Sequence, residues 1–220
     1  MKKFLLSFAL AAAACVAGGF TAQAAETFYT CLFGTSYNSK KVSTYTETWE
    51  TTVDGNTFEI KNFNNNNNLW SYVKCGRKGN ASVASISTKF PIEKSIENVT
   101  ATIDAITSEK VNSIKLETSE DANFSSIIST VVAENLVKGD LVLALPSPAK
   151  NLYYRLTFDC QSHKSNGIVS VSKVTYNGFD SEAVDANASF EDIEVEVGQS
   201  VAPVFTPDDI PGVTYTSGDE

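Results

Sequence analysis

Between Asn98 and Ala105 the sequence reads N-V-T-A-T-I-D-A. Apolar positions at Val99, Ala101, Ile103 and Ala105 alternate with polar ones at Asn98, Thr100, Thr102 and Asp104. Successive side chains of a β-strand leave opposite faces of the pleat, so a period of two specifies a strand with one buried and one wet face. The same pattern recurs downstream. Leu141, Leu143 and Leu145 alternate, and so do Leu152, Tyr154, Leu156 and Phe158, with Tyr153, Arg155 and Thr157 facing out. Turn residues separate these runs: Lys138-Gly139-Asp140, the Pro146 and Pro148 pair, and Gln161 to Gly167. A chain so patterned is expected to be all-β, with roughly nine or ten short strands and a turn every 8 to 12 residues. That spacing favours a sandwich or barrel.

The N-terminal half carries weaker signals. Residues 26–50 read as extended and polar-aromatic, with G-T-S-Y-N-S-K as a loop. Asp54-Gly55 supplies the positive φ angles of a tight hairpin turn between Thr51-Thr52-Val53 and Thr57-Phe58-Glu59-Ile60. Five consecutive asparagines, Asn64 to Asn68, predict a loop, because Asn tolerates left-handed backbone and its amide competes with the ladder. The run is read as an exposed connector, with sugar-hydroxyl binding as the alternative. Trp70-Ser71-Tyr72-Val73-Lys74-Cys75 is read as the next strand, and Arg77 to Asn80 as the turn into Ser82 to Thr88. Helical spacing of Phe124, Ile127, Ile128, Val131 and Val132 competes with the β-branched stiffness of the same stretch. Strands on both sides favour a turn through Asp121–Asn123 followed by a strand.

Both ends of the chain differ from this middle. Lys2 and Lys3, the apolar run Phe4 to Phe20 and Ala22-Gln23-Ala24 have the layout of a signal peptide over 1–25, so the mature chain is expected to be exported. Acylation at Cys15 is the weaker alternative, since Ala12 stands where lipoprotein signals usually have Leu. No later run approaches the ~20 apolar residues of a spanning helix, so no transmembrane segment is expected in the mature chain. Past the signal, Cys31, Cys75 and Cys160 remain. They are either three small buried hydrophobes or one bridge and a free thiol.

Charge is unevenly spread. From Phe179 onward there are 11 acidic residues and no Lys or Arg, whereas residues 26–178 balance 15 acids against 15 bases. A neutral module with an acidic tail lacks the footprint that phosphate neutralisation requires, so nucleic acid is not an expected partner. Residues 179–189 read as a linker. Three further strand candidates lie in 190–220, too few to close a sandwich, so the chain is expected to be a fragment.

Residues 190–220 resemble the first half of a bacterial immunoglobulin-like domain of group 2. The resemblance rests on Gly198-Gln199 and Val213-Thr214-Tyr215-Thr216-Ser217, with Gly218 where that family usually has Ser. It implies a surface-exposed spacer or adhesion module, here truncated. Residues 26–178 resemble a jelly-roll-like module found at the N-termini of secreted proteins of gut-dwelling Gram-negative bacteria. The stretches that carry this are F-N-N-N-N-N-L-W-S-Y-V-K-C-G-R-K, V-N-S-I-K-L-E-T-S-E-D-A-N-F and L-Y-Y-R-L-T-F-D-C-Q-S-H-K-S-N-G. No activity comes with that resemblance. The expected fold is therefore a jelly-roll-like β-sandwich followed by an incomplete immunoglobulin-like sandwich.

Residues suited to chemistry are few. His163 is the only histidine and lies in a polar loop, which rules out multi-histidine metal sites. No serine sits in G-x-S-x-G, and Gly76-Arg77-Lys78-Gly79-Asn80 has the wrong spacing for a phosphate loop. Asp121 and Asn123 could offer oxygens to calcium but lack the Gly and Glu of an EF-hand, so they read as a turn. No catalytic residue, metal or cofactor is expected. Stacking on exposed rings is how sugar-binding sandwiches hold ligands, and Trp70 and Tyr72, on one face with Lys74 and close to Arg77, are the candidates. The competing reading places Trp70 in the core. The expected role is a non-enzymatic, secreted or cell-surface protein binding a glycan or other surface ligand. The alternative is an accessory module of a larger secreted hydrolase or nuclease with catalysis encoded beyond residue 220.

Overall fold

The structure is a computed structural model that describes residues 25–178. The expected signal peptide and the residues from Phe179 on, including the immunoglobulin-like segment, lie outside the described residues. The eleven described strands are β1 (Glu26–Leu32), β2 (Thr48–Val53), β3 (Asn56–Lys61), β4 (Val73–Cys75), β5 (Ser82–Thr88), β6 (Ile96–Ile106), β7 (Val111–Ser119), β8 (Ile127–Val132), β9 (Gly139–Ala144), β10 (Tyr153–Cys160) and β11 (Val169–Gly178). One three-residue 3₁₀ turn, Ser108–Lys110, is the sole helical element described.

These strands form two antiparallel sheets. One has the order β1-β11-β6-β9, with β4 also paired to β11; the other runs β2-β3-β5-β10-β7-β8. With β2, β3 and β4 set aside, the remaining eight strands pass between the sheets in the order of a jelly roll, two interlocked Greek keys. The chain between β1 and β5 is thus an insertion: β2 and β3 extend one sheet, while β4 joins the other.

The alternation read from sequence becomes the core. Val99, Ala101 and Ile103 meet Leu141, Leu143 and Leu145 on one sheet, and Tyr154, Leu156 and Phe158 meet Ile114, Leu116 and Ile86 on the other; all are buried. Aromatic rings join the layers. Phe58 stacks on Tyr176 at 5.9 Å, and Tyr154 meets Tyr176 edge-on at 5.7 Å. Ala105 departs from expectation and is exposed. The reason is a register shift: Ser170 pairs with Ala105 but Val171 with Ile103, so the ladder skips Asp104 and the face changes there.

Asp54 and Gly55 take φ of 49° and 80°, which builds the expected hairpin between β2 and β3. The ambiguous stretch resolves as a turn and then β8. Asp121 accepts hydrogen bonds from the backbone N–H groups of Asn123 and Ser125 and from the Ser125 hydroxyl. Those bonds hold its carboxyl down at about pH 2 and commit it to the turn.

Candidate functional site

The insertion carries the aromatic pair, and the asparagine run explains how. The run is a loop, but not the exposed connector expected from its polarity: Asn64 and Asn65 are buried. Polar side chains are buried only where their hydrogen bonds are met. The Asn65 carbonyl oxygen accepts from the backbone N–H of Val42 at 2.8 Å and of Asn68 at 3.0 Å, and its amide donates to the Lys40 carbonyl at 3.0 Å. Asn64 donates from its side chain to the Ser43 carbonyl. Its backbone exchanges both hydrogen bonds with Lys74 on β4, at 2.9 and 3.0 Å. Asn66, Asn67 and Asn68 then take φ of 52°, 56° and 68°, a left-handed run that few residues besides glycine tolerate. The run therefore clips the segment 40–43 to β4 and turns the chain out toward Trp70.

Trp70 and Tyr72 precede β4 rather than lying within it, contrary to the expected six-residue strand. Their rings nevertheless stack, with centroids 5.0 Å apart and planes 14° from parallel. The Lys74 ammonium lies 4.6 Å from the Trp70 ring centre and 5.4 Å from that of Tyr72. Both rings are half-buried. The core tryptophan is Trp49, which is 3% exposed and donates its indole N–H to the Phe63 carbonyl at 3.0 Å.

Arg77 lies in the turn between β4 and β5 and lines an open groove of about 560 Å³. Ser43, Thr44, Tyr45, Thr46, Lys78, Gly79 and Asn166 complete that groove. Among the described residues the Arg77 guanidinium meets no acceptor. The ring pair and the groove adjoin at Gly167. A Cβ there would fall 3.0 Å from the Lys74 side chain and 3.5 Å from the Tyr45 hydroxyl. Gly167 has φ of 79° and so suits both the close approach and the backbone. Burial pushes the Tyr45 phenol above its ordinary range, against a hydrogen bond with Asn64 that pulls it down, so Tyr45 keeps its proton at neutral pH.

The arrangement offers a flat apolar ring surface, three cations, four hydroxyls and an amide. These groups suit a ligand with an apolar face and many hydroxyls. Sequence reading found Trp70, Tyr72, Lys74 and Arg77 but missed Ser43 to Thr46 and Asn166, which come from segments about 30 and 90 residues away from Arg77. Only the Asn166-Gly167 pair, read as a loop end, hinted at a close approach.

The other residues weighed for chemistry are committed elsewhere. His163 is half-buried and shares hydrogen bonds with Ser165, while its carbonyl accepts from Gly79. Glu117 is buried on the outer face of the six-stranded sheet. Burial opposes its charge, but hydrogen bonds from Lys115 and Arg155 at 2.6 and 2.8 Å hold its pKa below the ordinary value. Among the described residues no three His, Cys, Asp or Glu side chains gather so as to hold a metal ion. No described helix is long and apolar enough to cross a membrane.

No family model matches the chain, and no curated protein is significantly similar to it.

Proposed function

We propose that the chain is a non-enzymatic, exported surface protein whose jelly-roll sandwich binds a glycan or other cell-surface ligand through Trp70, Tyr72 and Arg77. Residues 190–220, which resemble an immunoglobulin-like domain, serve as a spacer or adhesion segment. The observation that supports this most is the stacked, half-exposed Trp70–Tyr72 pair beside a hydroxyl-lined groove with an unpaired guanidinium. A sugar ring lays its C–H face on such an aromatic surface and turns its hydroxyls to the neighbouring polar groups. Arg77 adds donors that suit an acidic sugar.

A glycan array probed with the chain and with its Trp70→Ala and Arg77→Gln variants tests the reading. Binding to a defined set of glycans that falls at least tenfold with Trp70→Ala is the expected result. An array on which the chain binds nothing, or binds equally well without Trp70, overturns it. Trp70 is not part of the core, so the variant keeps its fold, which the spectrum of Trp49 reports.

A further inference from the structure

We propose that Cys75 and Cys160 close into a disulfide that staples the two sheets of the sandwich together, leaving Cys31 as an isolated thiol. In the structure all three are thiols and all three are fully buried. Their surroundings differ. Cys75 belongs to β4 in the five-stranded sheet, and Cys160 is the last residue of β10 in the six-stranded sheet. Phe63, beside Cys75 across the Asn64–Lys74 bridge, meets Phe158, two residues before Cys160, edge-on at 5.4 Å, so the two thiols face the same stretch of interior, where each acts on the other's titration. Cys31, on β1, has no such partner among the described residues.

The backbone on both sides is held by its ladders. Cys75 is registered opposite Val169, and its carbonyl accepts the N–H of Ile168 at 2.7 Å. Cys160 is registered opposite Ser82 on one side and Val111 on the other. A disulfide is specific in geometry and rarely forms by moving sheets, so the two thiols that face one stretch of interior from opposite sheets are the pair that closes. Cys31 is registered opposite Val174, five positions along β11 from the Val169 that faces Cys75, a separation of about 16 Å at strand spacing and beyond a disulfide's reach.

The chemistry is thiol–disulfide exchange with a small or protein disulfide as oxidant. One cysteine loses its proton and attacks the oxidant, releasing one thiol of it. The second cysteine displaces the other half, so two protons and two electrons leave the pair. Burial keeps both sulfurs from reagents in the folded state, so closure belongs to folding, and the finished bond is shielded from reductants. That the bond forms in the living cell rests on the proposed export, since an oxidising compartment supplies the oxidant.

The test is to unfold and reduce the chain, refold it in a mixture of oxidised and reduced glutathione, and then alkylate it under denaturing conditions for peptide mapping. The expected product links the Cys75 and Cys160 peptides and carries alkylated Cys31. The linked form should unfold about 10 °C or more above the reduced form. The Cys31→Ala variant should give the same link. The Cys75→Ala/Cys160→Ala variant should have a melting temperature indifferent to reductant. Refolded, native-like protein with Cys75 and Cys160 still alkylatable overturns the pairing, and so does a bridge that includes Cys31. Because the refolding is done in a defined redox buffer, its outcome is independent of where the cell places the chain. Failure of export would show separately, as reduced thiols in protein taken directly from cells.

Discussion

Replacing Asn65 by alanine should destabilise the protein far more than replacing its neighbour Asn67, although both belong to one low-complexity run. Asn65 is fully buried, and its side chain makes three hydrogen bonds. Alanine leaves the buried Val42 N–H without its acceptor, at a cost of about 1–3 kcal/mol. The bond to the Lys40 carbonyl is lost as well, about 1 kcal/mol. Asn68 keeps a backbone bond to the Asn65 carbonyl, so its contribution is smaller. The total is about 3 kcal/mol, which lowers the melting temperature by about 6–12 °C in a chain of this size. Asn67 is exposed and holds its loop by backbone conformation, with φ of 56°. Alanine there meets only the left-handed penalty, about 1 kcal/mol. Thermal unfolding followed by circular dichroism separates the two. Equal shifts, or a smaller one for Asn65→Ala, would refute the claim that this run is a buried clip.

Other expectations follow from single sites. Gly76 has φ of 97°, and a Cβ there would lie 2.6 Å from Ile168, so Gly76→Ala should cost about 3 kcal/mol or fail to give soluble protein; the yield of folded Gly76→Ala, set beside Gly55→Ala in an open turn, checks this. Asp121, with its pKa lowered to about 2 from an ordinary value near 4, contributes stability that is fully present above its unfolded pKa and lost as pH falls from about 4 toward 2. Carboxyl titration by NMR should therefore find one Asp still ionised at pH 3, and an Asp121 that titrates at its ordinary value would remove the turn argument. Trp49→Phe should lower stability by about 1–3 kcal/mol through the orphaned Phe63 carbonyl and the lost volume, while leaving glycan binding intact.

How far the sequence revealed this fold depended on where order was local. Leu141, Leu143 and Leu145 alternate in sequence and are buried together, because no bulge interrupts β9. Ala105 broke its pattern because the skip at Asp104 arises from pairing with β11, about 65 residues away. Partner choice between sheets was equally invisible. Nothing in Trp70 to Cys75 says that only Val73, Lys74 and Cys75 pair, or that they pair with β11. The asparagine run misled because its composition argues for solvent. What buries Asn65 is the backbone of Lys40 and Val42, groups that carry no side-chain signature. Within the candidate site, Trp70, Tyr72 and Lys74 were legible because they are close in sequence. The groove hydroxyls of Ser43 to Thr46 reach Arg77 only through the folded insertion.

The chain has two tryptophans, one in the core and one in the proposed site, and that makes the decisive measurement simple. Titrating oligosaccharides selected on the array into labelled protein and following the two indole N–H resonances reads each position separately. Stacking of the sugar on the ring pair predicts a saturable shift of the Trp70 signal while that of Trp49, bonded to the Phe63 carbonyl, stays in place. A ligand that binds and leaves Trp70 unmoved would contradict it.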